Sequence, residues 1–205
     1  YFYNGTIMIK RSDLENWMSI DEAGSIVQSF FHDRQTYPDK NFYKRRRGIN
    51  KDLPEELWPL VLLARTLPDA EMLRLTSPSQ EGPDGEIQTN DGSIIRAQVT
   101  SSLERTNGYL VRQQLSDNGF YITPVRNTFE VVEERFRRIL NAIMDKEKRY
   151  RNGTDLLVVL EETVSWGDVL EPTLKARLAE KVINLGPSKY SATYIIFNEE
   201  VYKLR

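Results

Sequence analysis

One short apolar run constrains the fold of this chain more than any other feature of its sequence. Residues 155–160 read Asp-Leu-Leu-Val-Val-Leu, without the alternation of polar and apolar residues that marks a half-exposed strand. Such a run is typical of a strand that is covered on both faces. A helix over residues 173–185 and a strand over residues 192–198 are predicted next. Because a strand, a helix and a strand in this order form a parallel crossover by strong precedent, the sequence predicts an α/β sheet.

A β-hairpin is predicted in the middle of the chain. The tripeptide Asn-Asp-Gly at residues 90–92 lies between two segments of alternating polarity, residues 85–89 and 93–102. Asp-Gly in such a position is a strong hairpin signal, because these residues tolerate the positive φ angles of a tight turn. A helix over residues 54–66 and a short strand over residues 72–76 are expected before the hairpin.

Two helices and an edge strand complete this part of the predicted fold. A short helix is expected over residues 109–118, where Gly119 supplies the left-handed residue that closes many helices. A long helix is expected over residues 127–150, opened by a capping box that starts at Asn127. Residues 201–204 are expected to form an edge strand. Together these elements predict an α/β fold with a mixed sheet flanked by helices.

The first 50 residues show a different pattern. Ser19 and Glu22 form a predicted capping box at the start of a helix over residues 20–33. An exposed basic loop is expected after it, formed by Lys44, Arg45, Arg46 and Arg47. We therefore predict a mostly helical N-terminal extension with a basic loop over residues 1–50, followed by an α/β domain over residues 51–205.

The composition is that of an ordinary soluble domain. The 205 residues are 40% hydrophobic, and they include no Cys and a single His, which excludes disulfide scaffolds and Cys-based zinc sites. Apolar runs are too short to cross a bilayer, so we expect a cytoplasmic protein without a membrane partner. The net charge of −2 gives no global basic field, and nucleic-acid binding would rest on local clusters. The chain begins with Tyr1, so we expect residues to precede it.

One face of the second hairpin strand is polar. Alternation separates its side chains into two sets, Ile95, Ala97 and Val99 on one face and Arg96, Gln98 and Thr100 on the other. The polar row starts opposite Asp84, which follows Pro83 where the first hairpin strand begins. The predicted elements occur in a fixed order: a helix, a strand, a hairpin entered by Pro83-Asp84, a polar-x-polar step, a helix and a parallel strand. This order resembles the restriction-endonuclease-like, or PD-(D/E)XK, superfamily over roughly residues 53 to 198, and implies its core fold.

The resemblance implies a metal-dependent attack on a phosphodiester. In that superfamily an Asp, with Glu-x-Lys or Gln-x-Lys on the next strand, holds one or two Mg²⁺ ions and orients a water. Asp84 and Gln98 match the metal-binding positions, and both offer oxygen ligands. Thr100 stands at the lysine position, where a hydroxyl cannot supply positive charge to the phosphate. The resemblance therefore implies Mg²⁺ as cofactor and DNA as substrate, and it leaves activity open.

Other side chains could complete the predicted site. Arg96 lies on the same strand face, and Arg112 and Gln113 lie on the short helix that follows. A guanidinium can stabilise negative charge, although it does not act as a base. A second carboxylate is also expected, because one Asp makes a weak Mg²⁺ site. The candidates are Glu86, which is two residues beyond Asp84 and so on its face, and Glu55, Glu56 and Glu71.

Two basic clusters would suit a nucleic-acid partner. One is the loop at residues 44–47, and the other is a stripe on the long helix, formed by Arg135, Arg138, Lys146 and Arg149. A solvated helix flank explains the stripe equally well.

Three hypotheses for the function stay open. They are an active nuclease, an inactive member of the same fold that binds nucleic acid or protein, and a plain protein-interaction domain. A homodimer is compatible with each.

Overall fold

A seven-stranded mixed sheet organises the chain. The computed structural model describes residues 2–3, 6–7, 9–36, 48–77, 82–102, 128–149, 155–160, 172–197 and 199–205. The strands follow one another across the sheet in chain order, as β3 (Met18–Ser19), β4 (Ala70–Leu75), β5 (Gly85–Thr89), β6 (Ile94–Ser101), β7 (Leu156–Leu160), β8 (Ala192–Phe197) and β9 (Glu200–Lys203). A separate pair is formed by β1 (Phe2–Tyr3) and β2 (Thr6–Ile7).

Helices lie between these strands in the sequence. They are α1 (Arg11–Leu14), α2 (Ile20–Thr36), α3 (Ile49–Asp52), α4 (Trp58–Ala64), α5 (Thr128–Arg149) and α6 (Pro172–Ile183). A π-helical segment, Leu53–Leu57, joins α3 to α4. Pro54 fits there because its missing N–H falls in the first turn of the segment. The helices predicted over residues 20–33, 54–66, 127–150 and 173–185 are confirmed, with ends shifted by a few residues.

The pairing of the strands confirms the predicted mixed sheet. The β6, β7 and β8 strands are parallel, whereas all other neighbours in the sheet are antiparallel. The predicted hairpin is β5–β6, and its turn contains Gly92 at a φ of 83°, a conformation that favours glycine. The Asp91 side chain accepts a hydrogen bond from the Thr89 hydroxyl at 2.6 Å and so supports the turn.

Each face of the sheet carries its own apolar core. On one face α2, α4 and the π-helical segment cover a cluster that includes Ala97, Val99 and Val158. On the other face α5 and α6 cover a second cluster, which includes Leu157 and Val159. Neighbouring residues of β7 thus belong to different clusters, so the prediction of a strand covered on both faces is confirmed.

Residues 18–36 belong to the same sheet and core as the rest. In β3, Met18 pairs with Leu73 of β4. In α2, Ala23 and Val27 are fully buried in the first cluster. Ser19 caps α2, because its Oγ accepts the Glu22 N–H at 3.1 Å. The predicted N-terminal extension is therefore not confirmed as a separate unit, since its strand pairing and its packing continue into the α/β part.

Several predicted features lie outside the described residues. They are the helix over residues 109–118 with Arg112 and Gln113, and the basic residues Lys44, Arg45, Arg46 and Arg47. Within the part of the chain that the structure describes, no helix is both long enough and apolar enough to span a membrane.

Candidate functional site

Asp84, Gln98 and Lys146 meet at one place beside the sheet. Asp84 directly precedes β5, Gln98 lies in β6, and Lys146 lies in the last turns of α5. The Lys146 Nζ atom is 2.9 Å from Gln98 Oε1 and 3.5 Å from Asp84 Oδ2. The two predicted metal-binding side chains therefore share one ammonium group, which comes from a distant part of the chain.

Backbone hydrogen bonds hold Asp84 in place. Its N–H donates to the Ala97 carbonyl at 2.9 Å, and its carbonyl accepts the Thr76 N–H at 3.1 Å. These bonds tie Asp84 to β6 on one side and to the end of β4 on the other. The Asp84 Oδ2 atom also accepts the Val99 N–H at 2.7 Å. Because main-chain groups orient it, this carboxylate does not depend on a flexible side chain for its position.

The amide of Gln98 is oriented by a hydrogen bond of its own. Its Nε2 donates to the Gly82 carbonyl at 2.6 Å, and this leaves Oε1 to accept from Lys146. Gln98 is 8% exposed. Since a side-chain amide does not titrate in the physiological range, Oε1 is a permanent acceptor for a cation at this position.

The packing of α5 directs Lys146 to the site. Phe136, Ile139 and Ile143 of α5 are buried in the second cluster. Lys146 follows Ile143 by about one turn, and its side chain is 26% exposed. The covered aliphatic part of the side chain lets the ammonium group reach its two acceptors. Lys146 was predicted to belong to a phosphate-binding stripe, and its contact with Asp84 and Gln98 was not predicted, because it depends on the tertiary packing of α5.

Opposing influences act on the Asp84 carboxyl group. Burial raises its pKa above the ordinary value for an aspartate, and the Glu56 carboxylate adds to that rise. The Lys146 ammonium and the Val99 N–H lower the pKa, but they do not cancel the effect of burial. Ionised Asp84 is thus incompletely compensated, and additional positive charge near it would be favourable.

Glu56 brings a second carboxylate into the neighbourhood of Asp84. It lies in the π-helical segment, and its side chain is 14% exposed. Arg11 Nη1 donates to Glu56 Oε2 at 2.7 Å, and Lys51 Nζ donates to Oε1 at 2.9 Å. Burial opposes ionisation of Glu56, but the hydrogen bonds and charges of Arg11 and Lys51 outweigh it and lower its pKa. Glu56 was one of four candidates for this carboxylate in the sequence, whereas Arg11 gave no signal.

Glu86, Arg96 and Thr100 are the other strand residues of the predicted site. Glu86 accepts hydrogen bonds from Arg74 Nε at 2.9 Å and from Arg74 Nη2 at 2.7 Å. The register of β4 and β5 places these two residues opposite each other. Arg96 is exposed and lies opposite Glu86 in β6. Thr100 is half-buried opposite Val159, on the face that α5 covers.

The predicted basic stripe on α5 does not form a uniform exposed row. Arg135 is 7% exposed and Arg138 is half-buried, while Lys146 reaches Asp84. The side chain of Arg149 lies outside the described part of the structure. Of the remaining carboxylate candidates, Glu71 is exposed on β4, and Glu55 precedes Glu56 in the π-helical segment.

Within the described residues, no group of three or more His, Cys, Asp or Glu side chains is arranged to hold a metal ion. The oxygens of Asp84 and Gln98 contact the Lys146 ammonium group, and Glu56 Oε1 contacts that of Lys51. Comparisons of the chain with family models, with curated proteins and with solved structures find no match.

Proposed function

We propose that this protein is a PD-(D/E)XK-like, Mg²⁺-dependent phosphodiesterase that acts on DNA, in which Lys146 replaces the strand lysine. One observation carries the proposal. The Lys146 ammonium lies within 3.5 Å of both Asp84 and Gln98. An aspartate, a glutamine and a lysine therefore converge in space, although the sequence places threonine at position 100.

The order of elements supports the proposal. The helix α4, the strand β4, the hairpin β5–β6, the helix α5 and the parallel strand β7 follow in the order on which the resemblance rests. Asp84 enters the hairpin, and Gln98 lies on the strand that leaves it. The face of β6 that carries Gln98 and Thr100 is the face toward α5, from which Lys146 reaches the site.

The chemistry of the side chains fits a hard divalent cation. Asp84 and Gln98 would bind Mg²⁺ through oxygen. These two ligands alone would make a weak Mg²⁺ site, and Glu56 would supply a second carboxylate. When bound, Mg²⁺ would supply Lewis-acid stabilisation of negative charge on a phosphate group. Lys146 holds three N–H donors and a positive charge next to the same oxygens. It can thus stabilise charge that develops on a phosphodiester, which the hydroxyl of Thr100 cannot do.

Moving the lysine between α5 and β6 tests this proposal. We expect Lys146→Met to reduce Mg²⁺-dependent nicking of plasmid DNA by roughly 100-fold or more. Thr100→Lys in that background should restore much of the activity, because its side chain would start from the same face of β6. Lys148→Met is the matched control, since Lys148 is on α5 with a side chain that is 74% exposed. A wild-type protein that neither binds Mn²⁺ in calorimetry nor cleaves single- or double-stranded DNA would refute the proposal.

A second candidate function is a binding module of the same fold without catalysis. The observation that favours it is the ion pair itself, because the Lys146 ammonium already occupies oxygens that a metal would need. In that case DNA binding would be equal in EDTA and in Mg²⁺, and Asp84→Asn would leave it unchanged. Binding that requires Mg²⁺, or that Asp84→Asn alters, would contradict this alternative.

A further inference from the structure

We infer that Arg11 is a positioning residue of the candidate site, because it bridges the segment that carries Glu56 to the strand end that anchors Asp84. This inference rests on the proposed function. Arg11 lies in α1, which precedes the α/β part that the resemblance covers. Its side chain is 19% exposed and contacts two other segments of the chain, at residues 52–56 and at Thr76.

The first half of the bridge joins Arg11 to the π-helical segment and its preceding turn. Its Nη1 atom lies 2.7 Å from Glu56 Oε2 and 3.2 Å from Asp52 Oδ1. The Asp52 side chain is 11% exposed, and burial raises its pKa. One guanidinium thereby compensates two carboxylates that have little access to water, and it limits the orientations that Glu56 can adopt.

The second half of the bridge joins Arg11 to the backbone next to Asp84. Its Nη2 atom donates to the Thr76 carbonyl at 2.6 Å. The Thr76 N–H donates to the Asp84 carbonyl at 3.1 Å, and the Thr76 hydroxyl donates to the Pro83 carbonyl. A continuous chain of hydrogen bonds therefore runs from the Glu56 carboxylate through Arg11 and Thr76 to the Pro83-Asp84 step.

The shape of the guanidinium matters for this role. Its donors diverge in a fixed plane, so one side chain can serve Glu56 and the Thr76 carbonyl at the same time. A lysine would keep the charge, but its single nitrogen at the end of a flexible chain would not hold the two partners in one fixed arrangement. Arg11→Lys is therefore the variant that separates geometry from charge.

We expect Arg11→Lys to weaken Mn²⁺ binding, measured by isothermal titration calorimetry, by roughly 10-fold, the size typical of residues that orient metal ligands. In a Glu56→Gln background the same substitution should weaken Mn²⁺ binding by less than it does in the wild type, because the part of its effect that passes through Glu56 is already lost. Arg177→Lys is the matched control, since Arg177 pairs with Glu133 at 2.5 Å on the opposite layer of helices. It should leave Mn²⁺ affinity at the wild-type value.

A second variant and a second readout test the other half of the bridge. Thr76→Val keeps the backbone groups that bond Arg11 and Asp84, and it removes the hydroxyl bond to the Pro83 carbonyl. It should also weaken Mn²⁺ binding, and it is the variant to use where Arg11→Lys does not fold. Hydrogen exchange of the Thr76 amide should be faster in Arg11→Lys than in the wild type. Equal Mn²⁺ affinity in the wild type and in the folded variants would overturn the inference alone. Absence of Mn²⁺ binding by the wild type would overturn the proposed function and this inference together.

Discussion

Replacing Gly85 by alanine should destabilise the protein by about 3 kcal/mol, because there is no space for a methyl group at this position. A Cβ atom on Gly85 would lie 2.2 Å from Leu60 Cδ1 and 2.9 Å from the Arg74 carbonyl oxygen. Leu60 is fully buried in the first cluster. Relief would require Leu60 to move by about an ångström within a close-packed core, and the backbone of β4 would have to shift as well.

Urea unfolding followed by circular dichroism measures this effect directly. Gly24→Ala is the control, because a Cβ there would clash only with the end of the Arg65 side chain, at 2.6 Å from Nη2. Since Gly24 lies inside α2, alanine should leave stability unchanged or raise it by up to about 1 kcal/mol. In a Leu60→Ala background the cost of Gly85→Ala should fall by about 2 kcal/mol, because the closer of the two contacts is gone and only the one with the Arg74 carbonyl stays. A Gly85→Ala protein within about 0.5 kcal/mol of the wild type would refute the reasoning.

Three further predictions concern the core, the Asp84 carboxyl group and the basic loop. Val99→Asp should abolish cooperative unfolding, because Val99 is 7% exposed in the first cluster and an unpaired charge there costs several kcal/mol; a normal melting curve would contradict this. The pKa of Asp84 is raised in the folded state, so its contribution to stability is complete below the unfolded value of about 3.9 and is lost as the pH rises through the folded pKa. The free energy of unfolding of the wild type relative to Asp84→Asn should therefore fall from pH 4 to pH 7 in urea titrations, and a rise would show the opposite shift. Replacing Lys44, Arg45, Arg46 and Arg47 by alanine should make DNA binding less dependent on salt. The slope of log K against log salt concentration should decrease in magnitude by about 0.9 for each phosphate that these residues no longer neutralise. An unchanged slope would exclude these residues from the interface.

Local patterns predicted most of the secondary structure correctly. The hairpin required only the Asp-Gly turn and two alternating segments, and the observed β5 and β6 agree with both. The apolar run of β7 predicted burial on both faces, because no polar residue interrupts it. These signals are contained within about ten residues, so a single sequence carries them in full.

The candidate site could be predicted only in part, because its members meet through long-range packing. Asp84 directly precedes one strand of the hairpin and Gln98 lies in the other, and the order of elements was enough to suggest both. Lys146 had the same basic character as Arg135, and the spacing of charges on α5 could not tell which of the two reaches Asp84 and Gln98. Arg11 is 45 residues from Glu56 and 65 from Thr76, and no local pattern links residues so far apart.

The ion pair of Glu86 could not be predicted from the alternation of residues in its strand. Alternation places it correctly on the Asp84 side of β5, but alternation says nothing about the neighbouring strand. The register of β4 brings Arg74 opposite Glu86, and the resulting ion pair has an Nη2 to Oε2 distance of 2.7 Å. Glu56 is paired as well, with Arg11 and Lys51, but its carboxylate is close enough to Asp84 to raise the pKa of that residue, so Glu56 is the second carboxylate of the proposed site.

A lysine on a helix can replace a lysine on a strand because a site is defined by a position in space. Position 100 lies two residues beyond Gln98 on the same face of β6, which is about 7 Å along the strand. The α5 helix packs against this face of β6, so a long side chain from α5 can reach Gln98 from the helix layer, whereas a side chain at position 100 would reach it along the strand. The second cluster holds α5, the helix that carries Lys146, against the sheet, and the fold needs this cluster for its own stability. Threonine at position 100 is therefore compatible with an ammonium group at the site, and the exchange of lysine between positions 146 and 100 tests that equivalence directly.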